Sequence, residues 1–234
     1  MDFRSRLIAT LKAVRPVLEE PGVLVLGSEV PNLLQDGAAA TLVVSKDVDL
    51  GIPVSQHARV KLRLGEIDGL KASTEEPSVW LPEREELIEV NFLGIDHAIQ
   101  HPSETYVLED DLLPLMVFGP LSWVSPATPI EVEGLVVPVP RKAGMILEKL
   151  VTDRSGVKGD RDLLVVAGIL PLCDESDLEE LETLFRRLPA ELQYAVCSNL
   201  TLLSLLDPVR GMPDPGAQRR AVASLLRRLQ GEAG

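Results

Sequence analysis

Apolar positions recur at helical spacing over residues 3–20, where Phe3, Leu7, Ile8, Leu11, Val14 and Leu18 form one stripe that Pro21-Gly22 ends. The run Val23-Leu24-Val25-Leu26 stops at Gly27-Ser28 and predicts a buried strand. Residues 29–35 predict a short helix, with Pro31 in the first turn, where a missing N–H costs nothing. Beyond a turn at Asp36-Gly37, residues 41–44 predict a second strand. It runs on toward Lys46-Asp47-Val48-Asp49-Leu50 and breaks at Gly51-Ile52-Pro53. Residues 55–70 predict one helix ending at Asp68-Gly69. Residues 85–93 alternate polar with apolar, the period of a half-buried strand. Residues 94–140 are rich in proline, with several short apolar runs, and Pro138 and Pro140 predict a joint.

From Arg141 the period becomes helical throughout. Ala143, Ile146, Leu147, Leu150 and Val151 make one stripe; Leu178, Leu181, Leu184, Phe185 and Leu188 a second; Leu192, Val196, Leu200 and Leu203 a third; Val222, Leu225, Leu226 and Leu229 a fourth. The predicted fold class is α/β (α+β): a small mixed sheet flanked by helices over residues 1–140, then an all-helical part over 141–234.

Composition narrows the function classes. The 234 residues carry 23 Lys and Arg against 36 Asp and Glu, a net charge of −13, which disfavours non-specific nucleic-acid binding. No DNA-binding motif is present, and aromatics at 3% leave little for base-stacking platforms. Acidic sites that gather divalent cations suit this balance better. Cys173 and Cys197 form no Cys-x-x-Cys or Cys/His cluster and read as small apolar residues in a reducing compartment. The N-terminus lacks a signal core, and the most apolar stretch, 112–124, is cut by Pro114 and Pro120 and falls short of the ~20 residues of a membrane span. The expectation is a cytoplasmic protein with no membrane partner.

Candidate chemistry gathers at three places. Gly27 and Ser28 end one strand, Asp47-x-Asp49 belongs to the next, and Glu89 lies on a third. Residues two apart on a strand share a side, so Asp47 pairs with Asp49 and Glu89 with Asn91. Three converging carboxylates make a pocket for one or two Mg²⁺ or Mn²⁺ ions, and free N–H groups at Gly27-Ser28 offer a seat for phosphate oxygens. Taken singly, each piece has a plainer reading as a solvated strand edge or a turn; the order and spacing of the set raise it above that.

The set resembles the polymerase-beta-like nucleotidyltransferase superfamily: a strand ending in Gly-Ser (Leu24-Val25-Leu26-Gly27-Ser28), a strand bearing two acids about twenty residues later (Lys46-Asp47-Val48-Asp49-Leu50), and a third acid on a later strand (Ile88-Glu89-Val90). Residues 146–163 are similar to the Lys-Leu … Arg … Lys-x-x-x-Asp-Leu run of the abortive-infection nucleotidyltransferase toxins and their uncharacterised relatives. The resemblance implies an NTP substrate, Mg²⁺ or Mn²⁺ on Asp47, Asp49 and Glu89, terminal phosphates at Gly27 and Ser28, an RNA end or protein hydroxyl as acceptor, and an antitoxin as a further partner. Where relatives carry an acid at the position of Asn91, this chain carries an amide.

The cations Lys149, Arg154 and Lys158 are the expected triphosphate contacts, with Lys142 seven residues before Lys149 on the same helix face. The plainer reading pairs Lys149, Arg154, Lys158 and Arg161 with Glu148, Asp153, Asp160 and Asp162 on a solvated surface. His57, His97 and His101 read as surface or loop residues, and Trp80 and Trp123 as packing residues. A non-catalytic protein that binds a nucleotide or a partner on a degenerate form of the same fold is the alternative function.

Overall fold

The computed structural model describes residues 2–34, 47–151, 157–208 and 214–231. The strand expected at 41–44, the turn at Asp36-Gly37, Lys46, Arg154 and the side chain of Lys158 lie outside the described residues.

The expected helix over 3–20 is two helices, α1 (Phe3–Ala13) and α2 (Arg15–Leu18). Asp2 caps α1 by accepting from the Ser5 backbone N–H at 2.8 Å. Pro16 has no N–H to continue the ladder, so the chain re-starts there, with proline in the first turn of α2. Strand β1 (Leu24–Leu26) and helix α3 (Glu29–Leu34) follow.

Strand β2 (Asp47–Pro53) runs straight through Gly51-Ile52-Pro53, where a break was expected. Gly51 is there for room. A Cβ on it would lie 2.5 Å from Ile95 Cδ1 and 2.7 Å from Leu26 Cδ1, so two neighbouring side chains fill the space above its backbone. The helix expected over 55–70 is shorter: α4 (His57–Arg63) sits between 3-10 turns at Val54–Gln56 and Leu64–Glu66 and leads into β3 (Leu70–Ala72). Strands β4 (Val79–Pro82) and β5 (Glu89–Ile95) come next. Strand β5 begins at Glu89 rather than at 85 because the preceding residues are tied to α1. The Ile88 N–H donates to the buried Thr10 Oγ1 at 2.9 Å, and Arg6 donates to the Leu87 carbonyl at 2.6 Å. The proline-rich stretch holds β6 (Thr105–Leu108), β7 (Leu115–Phe118), a 3-10 turn at Gly119–Trp123, and the ribbon of β8 (Ile130–Val132) and β9 (Leu135–Val137).

The main sheet is mixed, in the order β1-β2-β5-β4-β3, with β7 beside the second half of β5 and β6 outside it. The central pair β2–β5 is parallel, whereas β1 is antiparallel to β2 and β4 to β5. One face of the central pair carries Val48, Leu50, Val90 and Phe92, all buried in the main apolar core. Trp80 closes over Phe92 edge-to-face at 5.9 Å, as expected of a packing residue.

The second part is helical: α5 (Lys142–Val151), α6 (Val157–Ile169), α7 (Glu175–Arg186), α8 (Ala190–Leu205) and α9 (Pro215–Leu229), with a 3-10 turn at Leu170–Leu172. Helix α5 is buried along most of its length because α6, α7 and α8 all pack on it. One continuous cluster of buried side chains runs from Leu7 and Phe92 to Leu147 and Leu225, so sheet and helices share a core. The Pro138–Pro140 joint is hydrogen-bonded into the sheet, with the Val25 N–H donating to the Pro138 carbonyl at 2.9 Å. Among the described residues no helix is long and apolar enough to cross a membrane.

Candidate functional site

The register of the central pair builds the site. In the parallel ladder Asp47 lies level with Glu89, and Asp49 level with Asn91. Paired positions point the same way and alternate along the strands, so all four side chains share the face opposite Val48, Leu50, Val90 and Phe92. The sequence expectation was that these acids share a side, and the register sets Asp47, Asp49 and Glu89 on one face of the sheet. That expectation placed Asp47-x-Asp49 at the end of a strand running in from 41–44; among the described residues the two acids open β2 instead.

Asn91 is the tie at the centre. Its Nδ2 donates to Asp47 Oδ2 at 2.8 Å and to Asp49 Oδ1 at 3.1 Å. One neutral amide thus holds two carboxylates side by side. Burial pushes the Asp49 carboxyl above its ordinary range. The Asn91 hydrogen bond opposes that shift, the charge of Asp47 adds to it, Lys149 opposes it and Glu148 adds. Glu89, half-buried, is raised as well, first by burial and then by the charges of Asp47 and Asp49.

Gly27 faces Asp49 at close range. Its φ is +80°, and a Cβ built there would lie 2.7 Å from Asp49 Oδ2. Only glycine gives both that backbone conformation and that clearance. The Ser28 hydroxyl donates to Glu29 Oε1 at 3.1 Å. Glu29 itself is 1% exposed, and it is the residue the sequence reading missed. Burial pushes its carboxyl up to about 8; hydrogen bonds from the Ser28 and Asn32 side chains work against the shift, and the charges of Asp49 and Asp47 add to it. The available signal was its spacing: Glu29 and the buried Leu33 lie four apart on one side of α3.

Lys149 comes from α5. Its side chain, 9% exposed, stands 3.2 Å from Glu148 Oε2 and 3.4 Å from Asp162 Oδ1. It is therefore a buried, shared counter-ion whose charge reaches Asp49. Lys142, expected on the same helix face, pairs at 2.5 Å with Asp177 of α7. His57, His97 and His101 take no part; His57 and His97 bond the carbonyls of Leu113 and Ser122, and His101 bonds Ser103 in its own turn. Cys173 and Cys197 are free and half-buried, and burial pushes the Cys173 thiol up to about 12, which leaves it unreactive.

The local inventory is thus rich in carboxylates. The charges of Asp47 and Asp49 act on both Glu29 and Glu89, and Lys149, paired with Glu148 and Asp162, acts on Asp49. Hard oxygen donors in such excess suit Mg²⁺ or Mn²⁺. Among the described residues, however, no three His, Cys, Asp or Glu side chains are grouped to hold a metal ion by themselves. The chain matches no family model, no curated protein and no solved structure.

Proposed function

We propose that the chain is a metal-dependent nucleotidyltransferase, moving a nucleoside monophosphate from an NTP to an acceptor hydroxyl on an RNA end or a protein, in the manner of a toxin. The observation that carries this reading is the register of β2 and β5, which sets Asp47, Asp49 and Glu89 on one face beside the tight turn at Gly27. A bound Mg²⁺ or Mn²⁺ supplies charge neutralisation for the phosphates and acidifies the attacking hydroxyl. Asp47 and Asp49 would hold that ion, their side chains tied together by Asn91. Glu89, at the more open end, accepts the proton of the incoming hydroxyl. Gly27 and Ser28 border the terminal phosphates, and Lys149, with Arg154 and Lys158, balances the charge of the leaving pyrophosphate. An antitoxin covering this face would complete the toxin reading.

The test is incubation with each α-labelled nucleoside triphosphate, Mg²⁺ or Mn²⁺, and total RNA or protein. Transfer of label that disappears in Asp47→Asn and Asp49→Asn supports the reading. No transfer with any nucleotide or metal overturns it. The second reading, a degenerate fold that binds a nucleotide or a partner without chemistry, is favoured by Asn91, whose amide already bridges the two acids. It predicts nucleotide binding that Asp49→Asn leaves intact.

A further inference from the structure

Helix α8 is apolar on both of its sides. Val196, Leu200 and Leu203 are fully buried on the side where α5, α6 and α9 pack. The Asn199 side-chain amide donates to the Leu150 carbonyl of α5 at 2.7 Å, which fixes the rotation of α8 about its axis. The outward side carries Glu191, Tyr194, Ser198, Thr201 and Leu205, at alternating spacings of three and four, with Leu202 beside them. Tyr194 is 78% exposed, Leu205 70% and Leu202 50%. That spacing is the seam of a two-helix pair, and a helix apolar all round is ordinarily covered on both sides.

The charges at the two ends of this face indicate its occupant. Glu191 lies in the first turn of α8. At the other end, Arg219 of α9 donates from Nε to the Ser204 carbonyl at 2.9 Å. We infer that the face pairs with the same face of a second copy of this chain, the two α8 helices running antiparallel about a two-fold axis at Ser198. An axis there sets Tyr194 level with Leu202 of the second copy, and Glu191 level with Leu205, at the end that carries Arg219. Each contact then occurs twice, as two-fold symmetry requires. Ser198 at the crossing is small enough for the helix axes to approach to about 8–10 Å. A parallel pair would set Glu191 against Glu191 and Arg219 against Arg219, so charge selects the antiparallel one. An anionic lipid surface is a poorer occupant, because Glu191 lies within the stripe.

The test is sedimentation equilibrium of the full chain over a wide concentration range, with a thermal melt of each variant to show a folded monomer. The wild type should associate to a dimer. Leu202→Asp and Leu205→Asp should each weaken the dimer at least about 10-fold, since each places a charge in the seam twice. Glu191→Arg and Arg219→Glu should each weaken it about 3-fold to 10-fold, the effect of a surface ion pair counted twice, and the double variant should regain wild-type association. These two positions are exposed, so they keep the test decisive if an aspartate disturbs the helix. A chain that stays monomeric at its highest soluble concentration overturns the inference. A dimer that survives Leu202→Asp and Leu205→Asp overturns it as well, because the interface then lies elsewhere. Weakening in both single charge variants without recovery in the double overturns the antiparallel pairing. A chain monomeric in solution that binds phosphatidylglycerol vesicles through Leu202 and Leu205 assigns the face to a lipid surface instead.

Discussion

Glu29→Gln makes a quantitative test of the electrostatics at the first turn of α3. The carboxyl has an ordinary value of 4.5 and is pushed up to about 8 in the fold. Between those two values the folded protein holds a proton that the unfolded chain has released, so raising the pH through this window favours unfolding. Each unit is worth about 1.4 kcal/mol, so the full window costs on the order of 5 kcal/mol above pH 8. That figure is a ceiling, because water entry and side-chain movement relieve part of it. Glutamine keeps the shape and the acceptor for Ser28 and never ionises. It places an amide where Oε2 has no partner, a cost of about 1–3 kcal/mol that does not change with pH. The informative quantity is therefore the stability of the variant minus that of the wild type, followed from about pH 5 to about pH 8.5 by urea unfolding without metal. It should move in favour of the variant by about 2–4 kcal/mol across that range. In melting temperature this is roughly 4–16 °C for a chain of this size. A difference that stays flat between those pH values would refute the argument that Glu29 is buried beside Asp47 and Asp49.

Three further substitutions follow from the same geometry. Gly27→Ala meets both a φ of +80° and the Asp49 carboxylate at 2.7 Å, so it should cost about 1–3 kcal/mol in thermal unfolding and weaken cation binding in the same protein. Lys149→Met removes the counter-ion shared by Glu148 and Asp162, both nearly buried, and should cost about 3–5 kcal/mol; a loss under about 1 kcal/mol would show that the carboxylates have other compensation. Gly51→Ala pushes a methyl into Ile95 and Leu26 and should cost about 1–3 kcal/mol by urea unfolding while leaving cation affinity unchanged, which separates packing of the strand from the site.

The parts of the fold written in local periodicity were legible in the sequence. The stripes from Ala143 onward correspond to α5, α7, α8 and α9, and the run from Val23 to Leu26 holds β1. Boundaries set by distant partners were not legible. Gly51 looks like a breaker until Leu26 and Ile95 are seen filling the space above it. The start of β5 depends on Thr10, a residue 78 positions away that captures the Ile88 N–H. The same division runs through the site. The shared face of Asp47, Asp49 and Glu89 follows from strand period once the strands pair in parallel, and the spacing carried it. The bond from Asn91 to both acids, the capture of Lys149 by Glu148 and Asp162, and the enclosure of Glu29 are tertiary facts without a local pattern.

The claim that Asp47 and Asp49 form a cation-binding pair has one most direct measurement: thermal melts of the wild type and Asp49→Asn, each with and without Mg²⁺. Without metal, the variant should melt at or above the wild type, because Asp49 is a buried carboxylate pressed by the charge of Asp47. A ligand that binds only the folded state at about a hundred times its dissociation constant adds about 2.7 kcal/mol, so Mg²⁺ should raise the wild-type midpoint by several degrees and leave the variant unchanged. Equal gains from Mg²⁺ in the two proteins, or a gain in neither, would contradict the account.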